Sequence, residues 1–266
     1  MKETYDLHNP EMLNSAVCFI DILGFSSMIE QSCKNNSGNQ LLNKLCTSIN
    51  DNINLINPRT KYSGSIKIFT DNIVIGKPIF EDGESELGSI FLSFSAYQLS
   101  LILDGFFVRG GISIGDYYAN EHVSFGPALL EAHNIENCIA KTPRIVLSKE
   151  TKKLVKHHIS YYSNPMHAPQ VSNIFEDVDG EWFVNYLEAA FQDRDSAGYL
   201  HAQKIMEQHR DMVINKISQC KNDQKVLNKY EWVAQYHNHF CKLNFSQNRN
   251  LQIQGVNNSG RFKFIS

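Results

Sequence analysis

Ala16-Val17-Cys18-Phe19-Ile20-Asp21-Ile22-Leu23-Gly24-Phe25-Ser26-Ser27 decides how this chain is read. Ala16 to Ile20 is an unbroken apolar run, the pattern of a central strand covered on both faces. Asp21 then stands where the run should stay apolar. A carboxylate at the edge of a buried strand costs roughly several kcal/mol unless a cation or donor compensates it. Gly24 lets the backbone turn tightly, so that its amides can face an anion. Strand, acid and glycine turn together form a layout for holding a metal beside a phosphate.

Working outward, Leu41, Leu42, Leu45, Ile49, Ile53 and Ile56 recur at helical spacing, with Pro58 as the stop. Ser65 to Phe69 and Ile73 to Gly76 are two short β-branched runs around Thr70-Asp71-Asn72, which predicts a hairpin. The acidic, glycine-bearing segment Glu81 to Gly88 reads as a connection into an apolar helix, Ile90 to Phe106. A strand follows over Phe107 to Ile114, where Gly110, Gly111 and Gly115 permit close packing. Pro127 opens a short helix ending near Asn137, Arg144 to Ser148 is a further strand, and Lys149 to Lys156 is helical. Strand, helix, hairpin, helix, strand is the α+β, ferredoxin-like split-βαβ order, in which the first strand lies beside the hairpin. Asp21 and Asp71 are therefore expected to face each other. Taken singly, each is an ordinary turn residue. Together, two repelling carboxylates invite divalent ions, and oxygen donors without a Cys or His set favour Mg2+ or Mn2+ over Zn2+.

The chain has 266 residues and a formal charge of only -3, so no basic excess argues for a nucleic-acid partner. No basic and apolar leader begins it, and no apolar run approaches the ~18 residues of a membrane span. Its six cysteines form no CxxC pair, which suits reduced thiols in a cytoplasm. Residues 1–157 read as one catalytic unit and 158–266 as a β-hairpin with a helical extension packed on it. In the extension, 173–178 and 181–187 flank Asp179-Gly180 as a hairpin, and Tyr199 to Cys220 and Lys225 to Phe245 form an antiparallel helical pair. The histidines, including His157-His158, His237 and His239, lack a carboxylate partner at ligand spacing and read as solvated or locally satisfied.

Over roughly residues 14 to 157 the chain resembles the class III nucleotidyl cyclases. Phe19 to Phe25 (FIDILGF), Lys67 to Asp71 (KIFTD), Val108 to Tyr118 (VRGGISIGDYY) and Phe125 to Glu136 (FGPALLEAHNIE) stand in that family's order and spacing. The resemblance implies the class III cyclase fold, with Asp21, Asp71 and the carbonyl of Ile22 holding two divalent cations, Mn2+ or Mg2+. It places the β- and γ-phosphates on the amides of Leu23, Gly24, Phe25 and Ser26, Arg109 on the triphosphate, and Lys67 on the base. It implies a nucleoside triphosphate substrate and a homodimer with composite active sites. The family's catalytic asparagine and transition-state arginine fall on Leu130 and Asn134, its purine-reading aspartate on Val123, and the hairpin glycine on Thr70. Arg144 is the nearest replacement cation by sequence. One domain, retained metal acids, altered base readers and a helical extension are similar to the bacterial pyrimidine cyclases of the Pycsar antiphage systems. That similarity implies conversion of UTP to cyclic UMP, which acts on a separate cyclic-nucleotide-binding effector. A cytidylate cyclase, a degenerate fold that binds nucleotide without turnover, and another palm-like nucleotidyltransferase remain the alternatives.

Overall fold

Strand β1 (Leu13–Ile22) runs through the middle of the sheet, and helices α1 (Phe25–Lys34) and α2 (Gly38–Ile56) follow it. Next come the hairpin strands β2 (Ser65–Phe69) and β3 (Asn72–Pro78), helix α3 (Glu84–Leu103) and strand β4 (Val108–Ala119). In this computed structural model, residues 5–265 are described except 7, 57–63, 192–193 and 257–259. The predicted stop at Pro58 lies outside the described residues. β3 and β4 flank β1, both antiparallel to it, and β2 lies outside β3. The order β2-β3-β1-β4 is thus the split-βαβ arrangement expected from the sequence.

A short β5 (Ser124–Phe125) folds back on β4 and leads into α4 (Pro127–Cys138), β6 (Ile145–Leu147) and α5 (Lys149–Ile159). β6 runs parallel to β4. After residue 157 the chain forms α6 (Pro169–Asn173), β7 (Ile174–Glu176), β8 (Trp182–Val184), α7 (Ser196–Gln219), α8 (Gln224–Asn244) and β9 (Lys263–Phe264). Its strands do not merely lean on the first unit. They continue the same sheet in the order β6-β8-β7-β9. The two long helices start where Asp195 and Asp223 accept from the amides of Gly198 (2.7 Å) and Val226 (3.1 Å), the usual oxygen cap for orphan N–H groups.

Two helices differ from the sequence reading. α1 was not expected, although Phe25, Met28, Ile29 and Cys33 recur in it at helical spacing; of these only Phe25 is buried. α3 begins inside the segment read as a connection, because Gly83 at φ 72 turns the chain and Glu84 and Glu86 suit a helix N-terminus. α3 is also long and apolar enough by composition to cross a membrane, which the search for an apolar run missed. More than half of that window is buried inside the protein. Phe91, Phe94, Tyr97 and Leu101 pack with α2 against β1.

A second core joins Leu99 and Ile102 of α3 to Phe175, Phe183, Tyr186, Met206 and Tyr236 of the extension. Inside it lies a chain of neutral rings. His209 and His237 are fully buried there, and His158 is buried separately on α5 against the Asp82 carbonyl. His237 Nε2 faces the Leu251 carbonyl at 2.8 Å and must donate to it. Its Nδ1 therefore accepts from His209 Nδ1, 3.0 Å away, which leaves His209 Nε2 to accept from the Tyr186 hydroxyl at 3.0 Å. A proton added to His237 sets two N–H donors against each other. Burial pushes His209 far below the usual histidine range, and takes His237 from 6.5 down to about 4. The unfolded chain then binds more protons than the folded one below pH ~6.5, so stability falls as the pH drops. His237 alone accounts for about 3 kcal/mol lost between pH ~6.5 and ~4. Unfolding midpoints measured across that window should decline steeply in wild type, and much less in His209→Phe/His237→Leu; parallel declines would contradict this.

Candidate functional site

Alternation along β1 sorts its side chains. Ala16, Cys18, Ile20 and Ile22 enter the core beneath α2 and α3, whereas Val17 and Phe19 face α4. Asp21 continues the second series and so emerges on the α4 side. Gly111 on β4 lets α4 come this close: an added Cβ would lie 2.3 Å from the Ala132 carbonyl and 2.7 Å from Ile135. Gly111→Ala should therefore cost about 1–3 kcal/mol by overpacking, measured by urea unfolding, and should weaken any function that needs α4 in place.

Arg109 pairs with Asp21 across the β1–β4 register. Its Nε lies 3.1 Å from Asp21 Oδ2, and its Nη2 lies 2.6 Å from Oε1 of Glu136 on α4. Glu136 is 5% exposed. Burial pushes its carboxyl above the usual range, against the pull of Arg109. The sequence reading passed over Glu136. A signal existed, because the buried face of α4 carries Ala128, Ala132 and Ile135, and Glu136 falls on that stripe.

Asp71 closes the β2–β3 turn. Its carbonyl accepts from the Ile22 amide at 3.0 Å, which ties the backbones of the two acidic corners together. The Thr70 hydroxyl and the Asn72 amide both donate to Asp71 Oδ1, at 2.8 and 3.2 Å. Thr70 holds φ 55, the left-handed region that favours glycine. Burial raises the Asp21 carboxyl; Arg109 opposes the shift, and the nearby Asp71 carboxylate adds to it. The structure thus brings Asp21 and Asp71 together.

At the next corner Gly24 adopts φ 74 and precedes α1. Its carbonyl accepts from the Met28 amide at 3.1 Å, and no backbone or side-chain cap is described for the amides of Gly24, Phe25 and Ser26. Leu23 is different. Its amide donates to the Phe107 carbonyl at 2.8 Å, so it is withdrawn from the set of phosphate donors expected from the sequence.

Arg144 is also placed elsewhere. It is 3% exposed, with Nη1 2.6 Å from Asp177 Oδ2, Nη2 paired with Asp179 and its guanidinium over the Trp232 ring. These partners belong to the extension. A guanidinium fixed among two carboxylates and an indole joins β6 to β7 and α8, and is not available as a transition-state cation.

Beside the acidic pair a cleft of about 510 Å³ opens between the β2–β3 hairpin and α4, lined by Phe19, Lys67, Asn72, His122, Leu130 and His133. Val123, Phe69 and Phe125 are exposed close to these wall residues, as is Leu130 at 71%. Among the described residues no group of three or more His, Cys, Asp or Glu is placed to hold a metal ion. Two carboxylates do fit a hard cation of the Mg2+ type, which is commonly held by one or two carboxylates together with substrate phosphate oxygens.

No protein-family model matches this chain, and no curated protein does. Among solved structures it is similar to the adenylyl cyclase CyaB from P. aeruginosa, at 18% identity over 55% of this chain and 82% of that one, with a TM-score of 0.45. It is similar to the guanylyl cyclase Cya2, at 13% identity over 54% and 79%, TM-score 0.38. A third likeness is to the adenylate/guanylate cyclase/hydrolase from Silicibacter pomeroyi, at 18% identity over 65% and 98%, TM-score 0.38. Overlap at that level carries no inference about what this chain does.

Proposed function

We propose that this chain is a pyrimidine nucleotide cyclase that converts UTP to 3′,5′-cyclic UMP and pyrophosphate. The observation that supports it most is the joining of the Asp21 and Asp71 corners beside the start of α1, whose first amides have no cap among the described residues, next to a cleft whose wall includes Asn72 and which is roomy enough for a nucleoside. Asp21, Asp71 and the Ile22 carbonyl would hold two divalent cations, Mn2+ or Mg2+. When bound, these lower the pKa of the attacking hydroxyl and offset triphosphate charge.

The remaining roles belong to the chain. Amides of Gly24, Phe25 and Ser26 receive the β- and γ-phosphates at the N-terminus of α1. Arg109, paired with Asp21 and Glu136, would give its guanidinium to the triphosphate with Asp21 holding a cation, and Glu136 would remain its charge partner. The ribose 3′ oxygen loses its proton and bonds to the α-phosphorus. The bond from that phosphorus to the bridging oxygen breaks, and pyrophosphate leaves with the electron pair. Lys67 on the cleft wall contacts the base. Leu130 and Val123 offer it no side-chain hydrogen bond, which disfavours a purine. Exposed Phe69, Phe125 and Leu130 around the cleft suit burial against a second copy, as a homodimer with composite sites requires. The product would signal to a separate cyclic-nucleotide-binding effector in antiphage defence.

The purified protein, given each of the four ribonucleoside triphosphates with Mn2+, should release cyclic UMP from UTP, identified by mass spectrometry. Preference for ATP or GTP, or no turnover at all, overturns the reading. Cyclic CMP from CTP would move the assignment to a cytidylate cyclase. Binding without turnover is the second reading, favoured by Leu130 and Asn134 in the places of a catalytic amide and cation. Tight nucleotide binding with no pyrophosphate release would select it.

A further inference from the structure

Arg109 stands between two carboxylates in unlike surroundings. On one side its Nε donates to Asp21 Oδ2 at 3.1 Å, an aligned hydrogen bond across the β1–β4 pair. On the other its Nη2 lies 2.6 Å from Glu136 Oε1. That second contact is close but off the N–H direction: Glu136 Oε1 is enclosed, and among the described residues no donor is in line with it. Access differs as well. Asp21 and Arg109 keep 18% and 21% of their side-chain surfaces exposed, within reach of a hydrated ion, whereas Glu136 is buried. Glu136 is also fixed in place, because Ala132 and Ile135 of the same helix seat α4 on Gly111. A buried carboxylate stripped of the cation it touches is strongly disfavoured. Arg109 is therefore bound to stay with Glu136, while Asp21 is the partner it can give up.

We propose that Glu136 is a positioning residue: it holds the Arg109 guanidinium on the α4 side, so that a divalent cation can take Asp21 without driving Arg109 from the corner. This rests on the metal pair of the cyclase reading and deepens it. As the corner stands, Arg109 competes with the cation for Asp21 Oδ2. The hydrogen bond given up there is replaced by the one that Glu136 Oε1 lacks, which lowers the cost of yielding. No bond is made or broken and no proton moves; one guanidinium contact is exchanged for another. Glu136 thus sets how tightly Asp21 and Asp71 hold the ion without coordinating it, and keeps Arg109 where a triphosphate would arrive.

The probe is Mn2+ alone, titrated into the full chain and followed by electron paramagnetic resonance of the free ion. Wild type, Glu136→Gln, Arg109→Met and the double variant are compared, each with a thermal melt. Glu136→Gln should weaken Mn2+ binding by about tenfold, on the order of one charge-assisted hydrogen bond. In the Arg109→Met background the same substitution should change affinity by no more than about twofold, because the group it acts through has gone. Unchanged affinity in Glu136→Gln overturns the inference, as does a wild type that takes up no Mn2+. Equal losses in both backgrounds also overturn it, since Glu136 would then attract the ion by its own charge. Should Arg109→Met fail to fold, nitrogen NMR of the Arg109 Nε decides. Mg2+ should shift that resonance in wild type and leave it sharp, but in Glu136→Gln should carry it to the position of a freely mobile arginine; a common end point overturns the inference. Glu136-dependent uptake of Mn2+ by a chain that cyclises no nucleotide would leave the positioning role standing and bring the cyclase reading down.

Discussion

Replacing Asp21 and Asp71 together by alanine should abolish cyclic-nucleotide formation, by on the order of a thousandfold or more, while leaving the fold intact. The loss follows from taking away both carboxylates that can hold divalent ions beside the α1 amides. The fold survives for a separate reason. The corner is joined by backbone, through the Ile22 amide and the Asp71 carbonyl, and β1 pairs with β3 and β4 along its length. Arg109 keeps Glu136 after Asp21 has gone. Removing two mutually repelling acids at a partly exposed rim should change stability by no more than about 1 kcal/mol. Mass spectrometry of reaction products, beside a thermal melt, checks both halves. Equal product from wild type and the double variant would refute the assignment of these acids.

Asp177→Ala should be the most damaging single change to stability, at about 3–5 kcal/mol. Asp177 is 1% exposed and holds three side chains at once. Arg144 Nη1 lies 2.6 Å away, Trp232 Nε1 2.7 Å and Arg261 Nε 2.7 Å. These come from the start of β6, from α8 and from the segment before β9. The carboxylate is thus where the extension is bound to the N-terminal half of the sheet. Without it, buried Arg144 keeps Asp179 alone and the indole N–H loses its acceptor, so desolvation is no longer offset. The melting temperature should fall by roughly 10 °C. Asp177→Asn, which keeps a hydrogen-bond acceptor but no charge, should fall part of the way. A midpoint within about 2 °C of wild type for the alanine variant would mean the hub is not holding these elements together.

Much of this architecture can be read along the chain because it is carried by local patterns. The apolar run to Ile20, the turn at Thr70-Asp71-Asn72 and the helical spacing from Leu41 to Ile56 each report their own neighbourhood. Their order leaves few ways to build a sheet. α1 was passed over although Phe25, Met28, Ile29 and Cys33 recur at helical spacing, because the glycine turn before it drew the reading to a loop. The true start of α3 was hidden for a related reason: Glu84 and Glu86 mark a helix N-terminus as readily as a surface loop. Whether a histidine is solvated or locally satisfied could not be decided along the chain, because burial of a ring depends on what packs from elsewhere. His209 is buried against His237, twenty-eight positions on.

The candidate site divides along the same line. Asp21, Gly24 and Asp71 are conspicuous in one dimension, since an acid that ends an apolar strand and a glycine that follows it need a reason. Whether an arginine meets phosphate or carboxylate is another matter. Arg109 and Arg144 look alike as letters, yet one lies beside Asp21 at the rim and the other is enclosed by Asp177, Asp179 and Trp232.

Linear order was enough for the split-βαβ topology and for the meeting of residues 21 and 71, because strand periodicity and a two-residue corner constrain both through short-range sterics. Which side chains surround that corner was settled only by tertiary packing. Glu136 reaches Arg109 because Gly111 admits α4, and Phe107 is covered because Tyr230 seats α8 on it. Charge acts through space, and no pattern along a chain encodes a distance between helices so far apart in sequence.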